Sequence, residues 1–391
     1  MRIRWLIATC ALGCLLPNIA SSQTFEGRNS AMGGVGVASS GYVSAPLANP
    51  ALLMKHGEND SIGIILPTIG GTYTDEDDLL DGIDDFRDSV VTLEEAINNL
   101  TVTPQDRQNA IDRLLDLNGR SLEAAFGGNV VIAAPGSFFS YALVATNRTD
   151  ATAVATIDPG DAALILGATS VADLDNLLSE GRALSAAVTE VGVSVAFGFE
   201  LAGFGVAVGV TPKYQRVDTY NYAIDVENFD EDDYDDDVFM DDDTTFNADI
   251  GATVSLPQGL TFGAVVRNVA PEDFETVLTN GQSFDYTVST VATIGAAWTH
   301  EMLTIAAEAD LTPTERFGLD DESKYLRFGA ELDTGWFALR GGYQHDADDG
   351  TADLITAGIG LSPFDILHLD IAGMLGEDDS YGGAVQLGVS F

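Results

Sequence analysis

The mature part of this chain lacks cysteine. Its only two cysteines, Cys10 and Cys14, lie in an N-terminal segment that has the features of a secretory signal. These features are a basic start, a short apolar run and a stretch of small residues: Arg2 and Arg4, Trp5–Leu16, and Ala20–Ser22. We predict that residues 1–22 form the signal peptide and that Gln23 begins the mature chain. Without thiols, the mature chain cannot form disulfides, CxxC redox centres or Cys-ligated metal sites.

Long apolar runs are also lacking. The run in the signal is shorter than the roughly 20 residues that a helix needs to cross a bilayer, and no other stretch is long and apolar enough to do so. One alternative concerns processing, because Leu12-Gly13-Cys14 resembles a lipoprotein cleavage site. Since Ala11 stands where a larger aliphatic residue is usual, we favour the secretory signal over lipidation at Cys14.

Basic residues are scarce. The chain has 17 Lys and Arg against 61 Asp and Glu, which gives a net charge of −44. Nucleic-acid binding requires basic patches over phosphates, so this charge excludes nucleic acid as a partner. The simplest interpretation of the charge is solvation in a salty environment, where screening lengths are short.

Catalytic and metal-binding motifs are missing as well. The four histidines, His56, His300, His345 and His368, form no HExxH pattern, and no GxSxG elbow occurs. His368 and Asp370 share one face of a predicted strand, where a polar pair is commoner than an acid–base pair. The sequence therefore predicts a protein that is not an enzyme and has no cofactor.

The chain does contain a strict alternation of apolar with small or polar residues. At its C-terminus one face carries Tyr381, Gly383, Val385, Leu387, Val389 and Phe391, and the other carries Gly382, Ala384, Gln386, Gly388 and Ser390. A period of two is that of a β-strand. From Ala186 onward the pattern recurs in hairpins with short links such as Ala202-Gly203 and Pro257–Gly259.

Charged side chains on the opposite faces of these strands indicate a polar lumen. The candidates are Asp249, Arg267, Glu308, Asp310, Arg327, Glu331, Arg340 and Asp370. A soluble β-sandwich would alternate similarly, with its apolar face inward, but the secretion signal, the repeated hairpins and the terminal Phe391 favour a barrel. We predict an all-β, transmembrane, antiparallel up-and-down barrel of about 14 strands (12–16) over residues 60–391, in the outer membrane of a Gram-negative bacterium.

Two insertions interrupt the strand pattern. Residues 75–119 have helical periodicity, with Leu93, Ala96, Ile97 and Leu100 on one face and Ile111, Leu114 and Leu115 on another. Thr103 and Pro104 suit the N-cap and first position of the second helix. A further helical piece is expected at Val171–Glu180. We expect these insertions to be loops of the barrel without a core of their own.

An acidic loop is predicted at residues 228–243. Clustered carboxylates are oxygen ligands of the kind that Ca²⁺ prefers, but the EF-hand glycine and distal glutamate are missing. A solvated loop is the favoured interpretation. Weak Ca²⁺ binding stays open for Asp230, Asp232, Asp235 and Asp237.

The first mature segment, residues 23–59, is rich in small residues. Gly33-Gly34-Val35-Gly36 superficially suggests phosphate binding, but the strand–helix context of a nucleotide fold is lacking. Tight packing inside a barrel explains the small residues better. We therefore expect a plug, with gating residues Arg28, Met32, Gly33, Gly34, Gly36, Asn49 and Pro50.

The residues of this segment carry a family resemblance. The pattern Arg28-x-x-x-Met32-Gly33-Gly34-x-Gly36-Val37-Ala38, followed by Asn49-Pro50-Ala51-Leu52-Leu53, resembles the start of FadL-like outer-membrane barrels, closest to the branch of TraF-type conjugal transfer proteins. The resemblance implies a barrel of about 14 strands whose plug gates the passage of hydrophobic molecules. The insertion at 75–119 and the acidic loop have no counterpart in that pattern. The TraF name also covers a thioredoxin-like protein, whose thiol chemistry a chain without mature cysteines cannot share.

Two functions follow from this resemblance. The first is a plug-gated passive conduit for small hydrophobic compounds. The second is a structural or partner-binding envelope component of a conjugation or secretion apparatus, with the acidic loop or the insertion binding an envelope protein. The terminal strand, with Tyr381, Val389 and Phe391, resembles the signal by which the barrel-assembly machinery recognises its clients.

Overall fold

The structure, a computed structural model, describes residues 25–75, 78–225, 237–319, 322–348, 350–377 and 379–391. The predicted signal peptide and three of the candidate Ca²⁺ ligands, Asp230, Asp232 and Asp235, lie outside the described residues. The fourth, Asp237, opens a short 3-10 helix, Asp237–Phe239.

Fourteen of the strands in the described residues close into one antiparallel barrel, as predicted. In chain order the strands are β1 Gly63–Thr74, β2 Ser121–Ala134, β3 Phe139–Thr156, β4 Glu180–Leu201, β5 Phe204–Asp225, β6 Met240–Ser255, β7 Leu260–Arg267, β8 Glu272–Glu275, β9 Asp285–Val288, β10 Val291–His300, β11 Leu303–Asp310, β12 Tyr325–Asp333, β13 Phe337–Asp346, β14 Leu354–Leu361, β15 Leu367–Gly376 and β16 Tyr381–Ser390. Sequence neighbours pair throughout, except that β8 and β9 leave the wall as a separate hairpin and β7 pairs with β10.

The barrel closes between its first and last strands. β1 pairs antiparallel with β16 from Gly63 opposite Ser390 to Tyr73 opposite Tyr381. The register shifts between Ile65 and Ile69, beside Pro67, whose ring nitrogen has no hydrogen to donate to the ladder. This closure removes both sheet edges, as the predicted barrel requires.

The two ends of the barrel differ in their connections. One end has short turns, in which residues with positive φ reverse the chain: Ala202 (54°), Gly203 (86°), Gln258 (71°) and Gly259 (83°). The predicted hairpin links at these positions are confirmed. The other end has the longer connections, which include the helical insertions and the β8–β9 hairpin. We call them the short-turn end and the long-loop end.

The outer surface of the barrel is apolar. Ile250, Leu339 and Ile355, from three different strands, are 52%, 53% and 67% exposed. Aromatic side chains surround the short-turn end: Phe138, Phe139, Phe197, Phe199, Phe204, Trp298, Trp336, Phe337, Phe364 and Phe391. Between Tyr381 and Phe391 the last strand spans about 33 Å of chain. At the usual strand tilt this gives the ~25 Å apolar band of an outer-membrane barrel.

The α-helices occur in the N-terminal segment and at the long-loop end. They are α1 Gly27–Ala31, α2 Ala45–Ala48, α3 Leu79–Asn98, α4 Pro104–Asp116, α5 Asp161–Gly167 and α6 Val171–Leu174, with 3-10 helices at Pro50–Met54, Pro257–Gly259 and Pro363–Asp365. None of the described helices is long and apolar enough to cross a membrane. The predicted start of α4 is confirmed, because Thr103 is its N-cap in a reciprocal capping box with Asp106 and Pro104 is its first residue.

The expectation that the insertions have no core of their own is wrong. Helices α3 to α6 and the adjoining strand ends enclose an apolar cluster that contains Phe86, Leu93, Leu114, Ile165 and Leu174, each fully buried. We call this unit the cap. The expected helix faces are partly wrong, because α3 ends at Asn98 and leaves Leu100 93% exposed, while Leu115 is 50% exposed.

Two further boundaries differ from the prediction. The acidic loop does not extend to 243, because Met240–Asp243 already pair with β5 in strand β6. The helical piece expected at Val171–Glu180 is shorter, ending at Leu174, and Glu180 begins β4. In both places the pairing of long strands beyond the apolar band overrides the local composition.

The core of the cap generates the first prediction. Replacing the fully buried Phe86 by Ala should destabilise the cap by about 3–5 kcal/mol, because a large cavity replaces the ring. Limited proteolysis of the folded protein should then cut within residues 79–117, while the barrel keeps its heat-modifiable migration on a gel. Val91→Ala, on the same helix but 46% exposed, is the matched control. Equal protease resistance of Phe86→Ala and the unaltered protein would contradict a cap with its own core.

Candidate functional site

The N-terminal segment, residues 25–54, lies inside the barrel. Helix α1 packs against β13 to β16, and α2 and the 3-10 helix Pro50–Met54 pack against the opposite wall, β3 to β6. Met32, Leu52 and Leu53 are fully buried between segment and wall. We call this segment the plug. The gating roles expected for its residues stay predictions.

Close approach between plug and wall depends on glycine from both sides. Gly33 and Gly34 of the plug have φ angles of 72° and 84°, which side chains with a Cβ rarely adopt. On the wall, a Cβ added to any of the lumen-facing glycines Gly209, Gly251, Gly263, Gly329, Gly342 and Gly358 would lie within 2.5 Å of a plug atom. Alternation placed these wall glycines on the inner face, but only the plug explains why they are glycine.

Asn49 anchors the second half of the plug. Its side chain is fully buried; Nδ2 donates to Val37 O at 2.9 Å within the plug and to Ala252 O of the wall at 3.3 Å. Its Oδ1 accepts from the Ala51 N–H at 3.1 Å and so caps the 3-10 helix that Pro50 begins. The Asn-Pro pair therefore starts a helix and attaches it to the wall.

An ion-pair chain links the plug to β12, β13 and β15. The Arg28 guanidinium donates to both carboxylate oxygens of Glu331, at 2.9 and 2.7 Å. Glu331 also accepts from Arg340 at 2.6 Å, and Arg340 donates to Asp370. Burial lowers the pKa of Arg28, but the Glu331 carboxylate outweighs it and holds the pKa above its ordinary value. Removing one partner of such a chain leaves a buried charge uncompensated, which typically costs about 3–5 kcal/mol.

Glu308 binds the plug backbone. One of its carboxylate oxygens accepts from the N–H groups of Gly36 and Val37, at 2.7 and 2.5 Å. Its other oxygen, Oε2, is buried without a hydrogen-bond partner among the described residues. Successive backbone N–H groups form a concave site for an acceptor oxygen, and here a carboxyl group of the wall supplies that oxygen.

Glu26 and Gln386 form an anchor that the sequence did not reveal. Glu26 Oε2 accepts from Asn29 N at 2.6 Å and caps α1, while Gln386 Nε2 donates to Glu26 Oε1 at 3.0 Å. Gly27 N donates back to Gln386 Oε1 at 3.1 Å. Gln386 is the one amide side chain among the small residues of its face, and this was the available signal.

The remaining predicted lumen residues lie nearer the long-loop end. Arg327 forms a two-pronged pair with Asp310, at 2.9 and 2.8 Å, and both are buried. Asp249 pairs with Lys213 at 2.9 Å. Arg267 reaches the plug, where its Nη2 donates to Ala48 O at 3.4 Å. The structure therefore divides the predicted lumen charges into one set linked to Arg28, Gly36 and Val37 of the plug and a second set around Arg267, which reaches Ala48.

A cavity of about 130 Å³ lies between the plug and the inward-folded β8–β9 hairpin. Leu47 of the plug and Val144, Val188 and Val291 of the wall form apolar parts of its lining. The hairpin is held over the cavity from β5 and β3. Asn221 Nδ2 donates to Val277 O and Gln282 O, at 2.9 and 3.0 Å, and the Tyr286 hydroxyl donates to Asp150 at 2.8 Å.

No group of three His, Cys, Asp or Glu side chains suited to a metal occurs within the described ranges. The ring nitrogens of His368 contact the hydroxyls of Ser362 and Ser390, at 3.0 and 2.7 Å, whereas Asp370 accepts from Arg340. The contacts described above hold the plug against the wall, and the cavity of about 130 Å³ lies beside it.

Comparison with known proteins identifies relatives of this architecture. A family model described as "F plasmid transfer operon, TraF, protein" matches residues 46–310. The toluene transporter TbuX of Ralstonia pickettii is similar over 94% of this chain and 97% of its own, with a TM-score of 0.54 and 12% identity. The toluene transporter TodX of Pseudomonas putida is similar over 95% of this chain and 98% of its own, with a TM-score of 0.53 and 10% identity. A FadL homologue of Pseudomonas aeruginosa is similar over 96% of this chain and 99% of its own, with a TM-score of 0.53 and 11% identity. At such identities the likeness shows the fold. No curated protein sequence matches this chain significantly.

The glycine contacts generate a prediction about plug seating. A Cβ on Gly342 would lie 2.2 Å from Gly33 N, so Gly342→Ala should displace the plug and raise the conductance of single barrels in planar bilayers several-fold. Gly341→Ala is the matched control, because Gly341 precedes it on β13, faces the other side, and its nearest atom to an added Cβ is 3.8 Å away. Equal conductance of both variants and the unaltered barrel would mean that the plug is not the barrier.

Proposed function

The chain belongs to the family of the F plasmid transfer operon protein TraF, and we propose that it is an outer-membrane conduit, closed by its own plug, for small hydrophobic compounds. The observation that carries the proposal is the cavity of about 130 Å³ between plug and hairpin, inside a closed barrel with an apolar outer face. The lumen is occupied yet not filled, and the space that remains has the size of a small compound.

The connections orient the barrel. Outer-membrane barrels have short periplasmic turns and longer extracellular loops. On this rule the cap and the β8–β9 hairpin face outward and the chain terminus at Phe391 faces the periplasm. A compound from outside meets the hairpin first, then the cavity, and last the plug.

The solved structures with a similar fold support a transport function. TbuX and TodX are toluene transporters, and their structures match this chain along nearly its whole length. They come from Gram-negative bacteria, which supports the same outer-membrane location here. Because these neighbours are transporters, they also support a role without catalysis.

A second candidate is a component of a conjugation apparatus. The family description favours it, and the cap supplies a folded surface for a partner. On the orientation above, that partner meets the cap outside the cell, not in the periplasm. Deleting residues 79–117 should then abolish co-purification of the partner while leaving the barrel folded.

The conduit predicts uptake of labelled toluene by cells that lack an importer of their own. Val188→Phe fills the cavity from β4 and should reduce this uptake several-fold, because its side chain lines the cavity. Val193→Phe is the matched control, since Val193 lies on the same strand but is 44% exposed on the outer face. Outer-membrane amounts of all variants are equalised by heat-modifiability gels. No uptake above empty cells with correctly inserted protein would overturn the conduit.

A further inference from the structure

Arg267 connects the cavity to the plug. Its side chain lines the cavity and is partly buried, and its Nη2 donates to Ala48 O of the plug at 3.4 Å. A hydrogen bond of this length is weak. Among the described residues Ala48 O is the only hydrogen-bond partner of this guanidinium, so most of its N–H donors have no partner in the protein.

Arg267 also differs from the other basic residues of the lining. Each of those three side chains pairs with a carboxylate: Arg148 with Asp150, Lys213 with Glu190 and Asp249, and Arg316 with Glu123. Arg267 forms no ion pair with any residue that the structure describes. A charge removed from bulk water without such a partner is costly. Because a polar cavity of this size holds water, that water solvates Arg267 while the cavity has no other occupant.

A small apolar compound in the cavity removes this solvation, and the seated plug offers no replacement. Three acidic residues, Asp249, Glu308 and Asp310, lie close enough to act on the charge of Arg267. Both oxygens of Asp249 and both of Asp310 already accept hydrogen bonds. Glu308 Oε2 has no partner among the described residues, but it is buried. Arg327 also acts on Arg267, with like charge, and is itself paired with Asp310.

Release of the plug makes Glu308 accessible. In the seated state its other oxygen accepts from Gly36 N and Val37 N. When the plug leaves, these donors leave with it, and the side chain meets water, where a glutamate is ionised at neutral pH. A hydrogen bond between a guanidinium and a carboxylate is roughly twice as strong as one between neutral groups. The released state therefore offers Arg267 a partner that the seated state does not.

We propose that Arg267 couples occupation of the cavity to release of the plug. With water in the cavity, the guanidinium is solvated and donates to Ala48 of the seated plug. With an apolar compound in the cavity, it gains a partner only by release of the plug and pairing with Glu308. This inference rests on the proposed conduit and names the positioning residue that opens it. A compound shifts such an equilibrium only through its different affinities for the two states, and the solvation of Arg267 supplies that difference.

The experiment measures release of the plug by the labelling of a single cysteine. The predicted mature chain has no thiol, and Ala38 of the plug is 0% exposed, so a water-soluble maleimide labels Ala38→Cys when the plug leaves. In the full-length barrel in nanodiscs, toluene should raise the labelling rate at least about fivefold, the lower end of the usual coupling between two sites. Leu100→Cys on the cap, 93% exposed, is the control for effects of toluene on the reagent, and its rate should not change.

Substitutions of Arg267 in the Ala38→Cys protein test the coupling itself. Arg267→Gln removes the charge that needs solvation and should abolish the response to toluene. Arg267→Lys keeps the charge and should restore part of the response, which a purely structural role would not require. Arg216→Gln is the matched control, because Arg216 lies on β5 with its side chain 51% exposed, and it should leave the response unchanged.

Glu308→Gln tests the acceptor separately. Its amide oxygen can still accept from Gly36 N and Val37 N, but its other polar atom becomes an NH₂ donor, which cannot accept from Arg267. The plug should therefore still seat, while the response of the labelling rate to toluene should be lost. Because this variant keeps Arg267, it keeps the inference falsifiable if Arg267→Gln does not fold.

A labelling rate of Ala38→Cys that toluene leaves unchanged or lowers would overturn the coupling, and so would an equal response in Arg267→Gln or Glu308→Gln. Labelling and uptake also separate the two proposals. If toluene releases the plug but does not enter cells, the conduit fails and the coupling stands. If toluene enters cells without changing the labelling rate, the conduit stands and the coupling fails.

Discussion

The closure of the barrel is the constraint on which the rest of the structure depends. A backbone in hydrocarbon has no water to satisfy its N–H and C=O groups, so a sheet can cross a membrane only when its edges pair. Here that pairing is made by β1 and β16, from Gly63 opposite Ser390 to Tyr73 opposite Tyr381. Closure in turn fixes which residues face inward, because the side-chain period of two leaves each strand one inner and one outer row.

An enclosed inner row of polar residues requires partners, and the plug supplies many of them. Glu308 accepts two plug N–H groups, Glu331 pairs with Arg28, and Gln386 contacts Glu26 and Gly27. Wall glycines such as Gly263 and Gly342 let the plug backbone come close enough for these contacts. The polar inner row and the glycines are thus two parts of one arrangement, which neither part explains alone.

The sequence predicted the barrel, its approximate strand number and the inward charges, because each follows from a period of two along single strands. It did not predict the cap. Leu93 and Ile97 indicated a helix face, but the core of the cap also contains Ile165 and Leu174 from a distant insertion. A local sequence pattern does not predict that two distant segments pack together. The division of the lumen charges into two sets could not be predicted from the sequence for the same reason. Arg28 and Glu331 are far apart in the chain, so their pairing depends on where the plug lies and not on either strand.

The plug is attached by apolar and by polar contacts, and the polar ones bear on how a conduit with such a plug works. Apolar contacts released from a wall expose surface to water at a cost proportional to area. Hydrogen bonds exchange with water at a small net cost each, about 0.5–1.5 kcal/mol, or about 1.5–3 kcal/mol where one partner is charged. The contacts of Gln386 with Glu26, of Asn49 with Ala252 and of Glu308 with Gly36 are of this kind. The ion pair of Arg28 with Glu331 is different, because it is buried. Separating two buried charges without hydrating them costs more free energy than breaking a hydrogen bond that water replaces. In a wet lumen both carboxylate and guanidinium regain solvent as the plug leaves. Under the proposed function, these directional polar contacts keep the plug in one position at rest, and its removal also exposes apolar side chains such as Met32, Leu52 and Leu53.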